Sequence, residues 1–275
     1  MKPTNLLICP ICQGELSQAD SSLKCPLSHS YDFSKSGYIN LLRPGKKNNA
    51  RAGDSKEMIA SRSLFFPSGC YQPINDKICA LVSSCAPKVI VDAGCGEGYY
   101  TSSIAQACPE AMVFGFDMSK FGAEHGAKIS KKNGITNTLY AVSSIFDMPL
   151  CQSSTDVIVN MFAPVASEEF YRVLSSGGCF IIASAGKEHL LGLKRALYDE
   201  VYLNEVNIPQ YDGFELIRAE NLKYSAHIVG QDTIQALFQM TPYYHRTSLS
   251  DKQKLSALDE LDTTVEVDFF VFKKI

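Results

Sequence analysis

The stretch KVIVDAGCGEGYYTSSIAQAC, residues 88–108, leaves few folds open to this chain. Val89 to Val91 form an apolar, β-branched run that ends on Asp92, a glycine-rich turn follows, and Tyr99 to Cys108 shows helical periodicity with small residues. That order reads as strand, loop, helix. Within the turn, G-x-G-x-G places Gly94 and Gly96 where the backbone can approach a ligand closely, and Gly98 where strand and helix pack tightly. Several nucleotide-binding folds share such a turn, and two acids narrow the choice. Asp92 stands directly before the loop, and Asp117 ends the next apolar run, MVFGFD, 21 residues beyond Gly96. A carboxylate there is placed to accept hydrogen bonds from both hydroxyls of an adenosine ribose. The chain has no GxxxxGK[ST] motif, which disfavours phosphate transfer.

Downstream the pattern continues to alternate. Residues 137–144, 154–164 and 177–186 read as strands and residues 167–174 as a helix, so the chemistry-bearing part is an α/β, Rossmann-like, doubly wound and mostly parallel sheet. A ligand of such a sheet lies at the carboxyl ends of the strands. At 275 residues the chain fits one large domain plus a small appendage: residues 1–45, then residues 46–275 with 46–87 as a basic, helical lead-in.

The appendage reads as a metal clip. Cys9 and Cys12 form a C-x2-C knuckle, and Cys25 and His29 supply a second pair after a spacer of 12 residues. Zinc favours four tetrahedral thiolate and imidazole ligands, and the turn-prone Gly14 and Ser21-Ser22 between the pairs suit a zinc ribbon. With all four positions filled by protein, the metal is structural. So few apolar residues surround it that metal binding must supply folding free energy. Six further cysteines (Cys70, Cys79, Cys85, Cys108, Cys151, Cys179) fall singly in helix-like or strand-like patterns and read as reduced, mostly buried small hydrophobes.

Charge is distributed unevenly. Net charge is −3, which argues against indiscriminate nucleic-acid binding and against DNA, yet residues 1–56 carry eight Lys/Arg against four Asp/Glu. Arg43, Lys46, Lys47, Arg51 and Lys56 cluster just after the clip, placed to meet phosphates. No apolar run approaches the roughly 18 to 20 residues that span a bilayer, and MKPTNLLICPIC lacks a secretory h-region, so the expectation is a cytoplasmic chain with no membrane partner.

Taken in order, the phrases CPIC, CPLSH, GYINLL, GDSKEM, YQPI, DAGCGEGYYT, FGFDMSK and QMTP resemble the bacterial, zinc-containing 23S rRNA (guanine-N1)-methyltransferases. The resemblance covers both parts of the chain. It implies a class I S-adenosylmethionine-dependent methyltransferase fold, an N-terminal zinc ribbon that recognises a hairpin of 23S ribosomal RNA, and a homodimer. It further implies that Cys9, Cys12, Cys25 and His29 bind zinc and that Tyr71, Gly96, Glu97 and His189 contact S-adenosylmethionine. Asp92, Gly94 and Asp117 join the cofactor set from the general fold. One departure stands out: after QMTP the chain has Tyr244 and His245 where the family pattern leads one to expect a tryptophan-containing segment.

Guanine N1 lies on the Watson–Crick edge, so the target base must be unpaired or extruded before it reacts. Asn160, in the strand-end segment NMFAP, is a candidate to hydrogen-bond that base edge, with strand capping as its alternative. Two other functions fit parts of the chain: methyl transfer to a small molecule or quinone, and a non-catalytic zinc-ribbon RNA-binding or ribosome-assembly factor. The first leaves the ribbon without a purpose; the second leaves the intact glycine loop and its acids without one.

Overall fold

The computed structural model describes residues 3–45 and 53–275. Lys46, Lys47 and Arg51 of the basic cluster lie outside the described residues. In chain order the strands are β1 Ser17–Ala19, β2 Ser22–Lys24, β3 Ser30–Asp32, β4 Ile39–Asn40, β5 Val89–Ala93, β6 Met112–Asp117, β7 Thr138–Val142, β8 Thr155–Met161, β9 Leu174–Ala185, β10 Phe214–Val229 and β11 Glu260–Lys274. The α-helices are α1 Lys56–Phe65, α2 Gln72–Ser84, α3 Tyr99–Ala107, α4 Lys120–Lys132, α5 Ser167–Val173, α6 Leu191–Leu197, α7 Gln231–Gln239 and α8 Leu249–Leu255.

β1, β2 and β3 make a small antiparallel sheet, whereas β4 joins an eight-stranded sheet of order β10-β11-β9-β8-β5-β6-β7-β4. From β4 through β9 neighbouring strands pair parallel; β11 runs antiparallel to β9 and to β10. Because β5 leads outward through β6 and β7 on one side and β8 and β9 on the other, the strand order reverses between β5 and β8. Ligands of open α/β sheets bind at that switch point.

Both faces of the sheet are buried, which is why its central strands are continuous apolar runs. Ile90, Val113 and Val157 point into a core shared with Ile74, Ile78 and Leu193 from the helices, while their neighbours Val91, Phe114 and Ile158 point into the opposite core with Phe170 and Phe180. That second core also contains Leu7, Leu16, Leu23, Ile39 and Leu41, so the N-terminal segment does not rely on metal alone: its apolar side chains lean on the large sheet. Ile8 N–H donates to Pro149 O at 3.0 Å and Leu41 N–H to Val142 O at 2.9 Å, fastening the segment to the edge beside β7.

Helix starts follow the capping chemistry of the sequence. Ser55 accepts from Met58 N–H ahead of α1, and Ser119 accepts from Gly122 N–H ahead of α4. At Gly98 an added Cβ would lie 2.8 Å from the Tyr140 hydroxyl and 2.9 Å from Gly126 Cα, so the close helix-to-strand packing expected there is present. All ten cysteines are free. Of the six single ones only Cys108 is fully buried; Cys70, Cys79, Cys85, Cys151 and Cys179 are half-buried, a correction to the expected burial. Cys85 and Cys151 lie past the ends of elements, while Cys79 in α2 and Cys179 in β9 pack against the core without being covered by it. No helix among the described residues is long and apolar enough to cross a membrane.

Candidate functional site

The carboxyl ends of β5, β6 and β8 converge on the glycine loop. Gly94 (φ 87°) and Gly96 (φ 53°) adopt left-handed backbone that L side chains avoid. At Gly94 space forbids a side chain as well, since a Cβ there would lie 2.7 Å from Ala163 Cβ, whereas one on Gly96 would lie 2.7 Å from Arg62 Nη1 and would have to displace that guanidinium. The loop is thus a cradle with no side chain of its own over its centre. Asp117 shapes it from the end of β6: Oδ2 accepts from Gly96 N–H at 2.9 Å and Oδ1 from Ser119 N–H at 2.7 Å.

Four carboxylates gather here against one guanidinium. Arg62 of α1 pairs with Asp54 through both terminal nitrogens and reaches Glu97 Oε2 at 3.4 Å. Burial works against the Arg62 charge, yet Glu97 and Asp54 more than offset it and hold its pKa above the usual arginine range. Burial also pushes the Glu97 and Asp117 carboxyls above the usual carboxylate range. Arg62 and Asp54 were not singled out in the sequence; Asp54 sits in the phrase GDSKEM, whose shape places it against the start of α4, where Ser119 Oγ donates to Asp54 O at 2.7 Å.

Asp92 is buried beneath the loop. Thr101 Oγ1 donates to its Oδ2 at 2.5 Å, while Oδ1 has no partner among the described residues. Burial, reinforced by the charges of Glu97 and Asp117 and opposed by the Thr101 bond, pushes its pKa up to about 7 from an ordinary 3.8. Between those values the folded chain keeps a proton that the unfolded chain has lost, so this group's contribution to stability is fully present below about pH 4 and is lost as pH rises through about 7. Across that window Asp92→Asn is expected to remove a downward slope of stability with pH on the order of 1 kcal/mol per unit. Denaturant midpoints measured from pH 5 to about pH 8 check it, and equal slopes in the two proteins would refute the assignment.

On the β8 side, Tyr71 and His189 meet: Tyr71 Oη lies 3.3 Å from His189 Nε2. Glu266 N–H donates to His189 Nδ1 at 3.3 Å, so the ring's proton resides on Nε2 and is directed at the Tyr71 oxygen. Burial lowers the His189 pKa to about 4, keeping the ring neutral at physiological pH. Phe162 stacks on His189 with centroids 5.8 Å apart and planes at 27°. Asn160 is wholly buried, its Nδ2 donating to Ala93 O at 3.1 Å and Pro164 O at 3.0 Å. That amide ties the end of β5 to the loop after β8 and is not presented at the surface. Tyr244 packs edge-on against Phe238 with Lys252 over its ring at 4.0 Å, and the neighbouring His245 is exposed; both lie in the turn after α7.

The N-terminal knuckles bring Cys9, Cys12, Cys25 and His29 together, with all four donor atoms within 4.8 Å of one another. The Cys12 and Cys25 sulfurs are 3.5 Å apart and Cys25 Sγ is 3.3 Å from His29 Nδ1. A tetrahedral ion with Zn–S bonds near 2.3 Å needs ligand separations of about 3.3–3.8 Å, so the set fits zinc. Burial opposes charge on the Cys9 thiol, but the Tyr31 hydroxyl at 3.1 Å and nearby backbone N–H groups lower its pKa, favouring the ligating thiolate. The loop fits S-adenosylmethionine on two counts: glycines in left-handed backbone at positions 94 and 96, and a cluster of carboxyl groups in excess of guanidinium.

Residues 86–241 match the family model described as a methyltransferase domain, and residues 7–50 match the zinc-ribbon model described as RlmA, N-terminal. A candidate 23S rRNA (guanine-N1)-methyltransferase of Micromonospora griseorubida is 32% identical over 68% of either chain. The 23S rRNA (guanine(748)-N1)-methyltransferase of Streptomyces fradiae is 26% identical over 98% of this chain and 97% of its own. A further candidate of that activity, YxjB of Bacillus subtilis strain 168, is 28% identical over 97% and 96%. The cofactor of this domain is S-adenosylmethionine and the ribbon's metal is a structural zinc. On the glycine loop, the four-ligand clip and relatives matched over 68% to 98% of its length, the chain belongs to the zinc-ribbon family of 23S rRNA (guanine-N1)-methyltransferases.

Proposed function

We propose that this chain methylates N1 of one guanine in a hairpin of 23S ribosomal RNA. The observation that carries the reading is the joining of a zinc ribbon to a methyltransferase sheet whose switch-point crevice is built from Gly94, Gly96 and Asp117. Bound S-adenosylmethionine supplies an electrophilic methyl on its sulfonium. Asp117 would serve the ribose and Gly94, Gly96 and Glu97 would bound the methionine end, while Asp92, which keeps its proton below about pH 7, holds Thr101 of α3 beneath the loop. His189 fixes the Tyr71 hydroxyl by donating to its oxygen, which leaves the Tyr71 O–H to donate to an acceptor on the cofactor. The methyl would pass from the sulfonium to guanine N1, whose proton would go to a carboxylate or a water at the crevice, with S-adenosylhomocysteine as the second product.

Residues 1–45 act as the RNA-recognition module and residues 46–275 as the catalytic one, with Arg43, 3.7 Å from Asp147, following β4 as the first base of the cluster read as meeting phosphates. The working form is a cytoplasmic homodimer that takes RNA and not DNA. Asn160 holds the acceptor loop from behind: Asn160→Ala is expected to lower turnover about 10- to 100-fold with cofactor affinity within about threefold, since two loop anchors are lost and no cofactor contact is. Unchanged turnover would take Asn160 out of the site.

The reading is tested by transfer from labelled S-adenosylmethionine to ribosomal RNA from a strain lacking the enzyme, with modification mapped by reverse-transcription stops. A new stop at a single hairpin guanine is the expected result. Cofactor binding without an RNA product, on both free RNA and ribosomal particles, would move the acceptor to a small molecule.

A further inference from the structure

Phe162 is an outlier on three counts. Its φ of 55° is left-handed, a conformation that costs a bulky L residue about 1 kcal/mol or more. The residue is 43% exposed although it directly follows the buried strand β8, and its ring lies on His189 in a near-parallel stack. Nothing in the core requires this ring. Its backbone, by contrast, is firmly held: Phe162 N–H donates to Ala183 O at 2.9 Å, Asn160 ties down Pro164 two residues on, and Ala163 is the side chain that meets the glycine loop at Gly94.

Its place in the sheet shows what the ring can serve. The order β8-β5-β6 puts Phe162 on one side of the glycine loop and Asp117 on the other. Two strand spacings, roughly 10 Å, separate those ends. Were a cofactor's ribose held at Asp117 and its sulfonium over the loop, the Phe162 side would be the flank left for the acceptor. A planar acceptor must approach from there. Aromatic side chains stack on purine faces at little entropic cost, and a ring already packed on a neutral imidazole is preorganised to do so.

We propose that Phe162 is the stacking platform for the flipped target base, a positioning residue for the acceptor whose strained backbone is held for that purpose. This rests on the guanine reading given above. The Asn160 anchor and the His189 stack orient the ring, and the left-handed turn keeps it in the crevice, where an extended residue would carry on along the strand direction.

The test uses the full-length protein with ribosomal RNA and four variants. Phe162→Ala and Phe162→Leu are expected to lose about 10- to 100-fold in kcat/KM for RNA, while the Kd for S-adenosylhomocysteine stays within about threefold. Phe162→Tyr, which keeps the π face, is expected to stay within about fivefold of wild type. Phe162→Gly, which relieves the positive φ, is expected to melt above Phe162→Ala while remaining as inactive, a separation that a merely structural ring would not give. Loss of S-adenosylhomocysteine affinity in step with kcat/KM would assign the ring to the cofactor and overturn the proposal. Equal activity of Leu and Tyr variants would overturn it too, as apolar bulk alone would then suffice. Wild-type protein that methylates RNA alongside a fully active Phe162→Ala variant defeats this inference only; wild-type protein that makes no guanine product defeats the underlying reading and this inference with it.

Discussion

Cys25→Ser is expected to abolish stoichiometric zinc, to lower the melting temperature by roughly 5–10 °C, and to cut transfer to RNA by more than about 100-fold. A serine hydroxyl is no thiolate, and three remaining ligands leave the ion open to loss. Structural zinc in small peptide modules contributes roughly 10–16 kcal/mol, as much as a whole domain's net stability. Here the damage is bounded, because Leu7, Leu16, Leu23, Ile39 and Leu41 stay packed in the core shared with Val91 and Phe114. The knuckles melt while the sheet survives, so affinity for S-adenosylhomocysteine is expected to hold within about threefold. Metal analysis, thermal melting and the transfer assay on one preparation check all three. A zinc-free variant with an unchanged KM for RNA would remove the ribbon from substrate recognition.

Asp117→Ala is expected to weaken cofactor binding about 30- to 300-fold. Two effects add. The Gly96 and Ser119 N–H groups lose their acceptors at 2.9 and 2.7 Å, and each buried, unpaired donor costs about 1–3 kcal/mol. The loop that they shape then loosens, and the ribose hydroxyls lose the carboxylate proposed to accept from them. Asp117→Asn keeps one carbonyl oxygen but brings an NH2 group against one of the two donors, so an intermediate loss is expected. Calorimetric titration with S-adenosylmethionine measures both variants; affinity within twofold of wild type for Asp117→Ala would displace this residue from the cofactor site.

What could be read before the structure was what is encoded locally. The glycine turn with its flanking acids, and the two metal knuckles, are short patterns whose chemistry dictates both residue type and spacing. Arg62 was invisible because its partners, Asp54 and Glu97, lie 8 and 35 positions away, and one arginine on an amphipathic helix has no distinguishing pattern. The β10–β11 pair escaped for a related reason. FELIRAENLKYSAHIV alternates in exposure as a half-solvated strand should, but its partner begins some 30 residues after it ends, beyond α7 and α8. Asn160 drew attention as a polar residue at a strand end, and only geometry showed that its Nδ2 is spent on Ala93 O and Pro164 O while its buried Oδ1 has no partner among the described residues. Phe162 lies in the strand-end segment NMFAP, but a positive φ at phenylalanine cannot be anticipated from a sequence.

The strand β4 has a consequence for anyone who would exchange ribbons between relatives to redirect them to another hairpin. Ile39 and Asn40 are not linker but the outermost rung of the catalytic sheet, matched to Ala141 and Val142. A graft cut ahead of them would part the donor's ribbon from the strand that docks it, and one that removed them would leave Ala141 and Val142 as a bare margin open to self-association. The serviceable seam lies after Leu41, with the donor's rung and the host's β7 chosen as a matched set, so that the portable unit is a ribbon together with the strand that docks it.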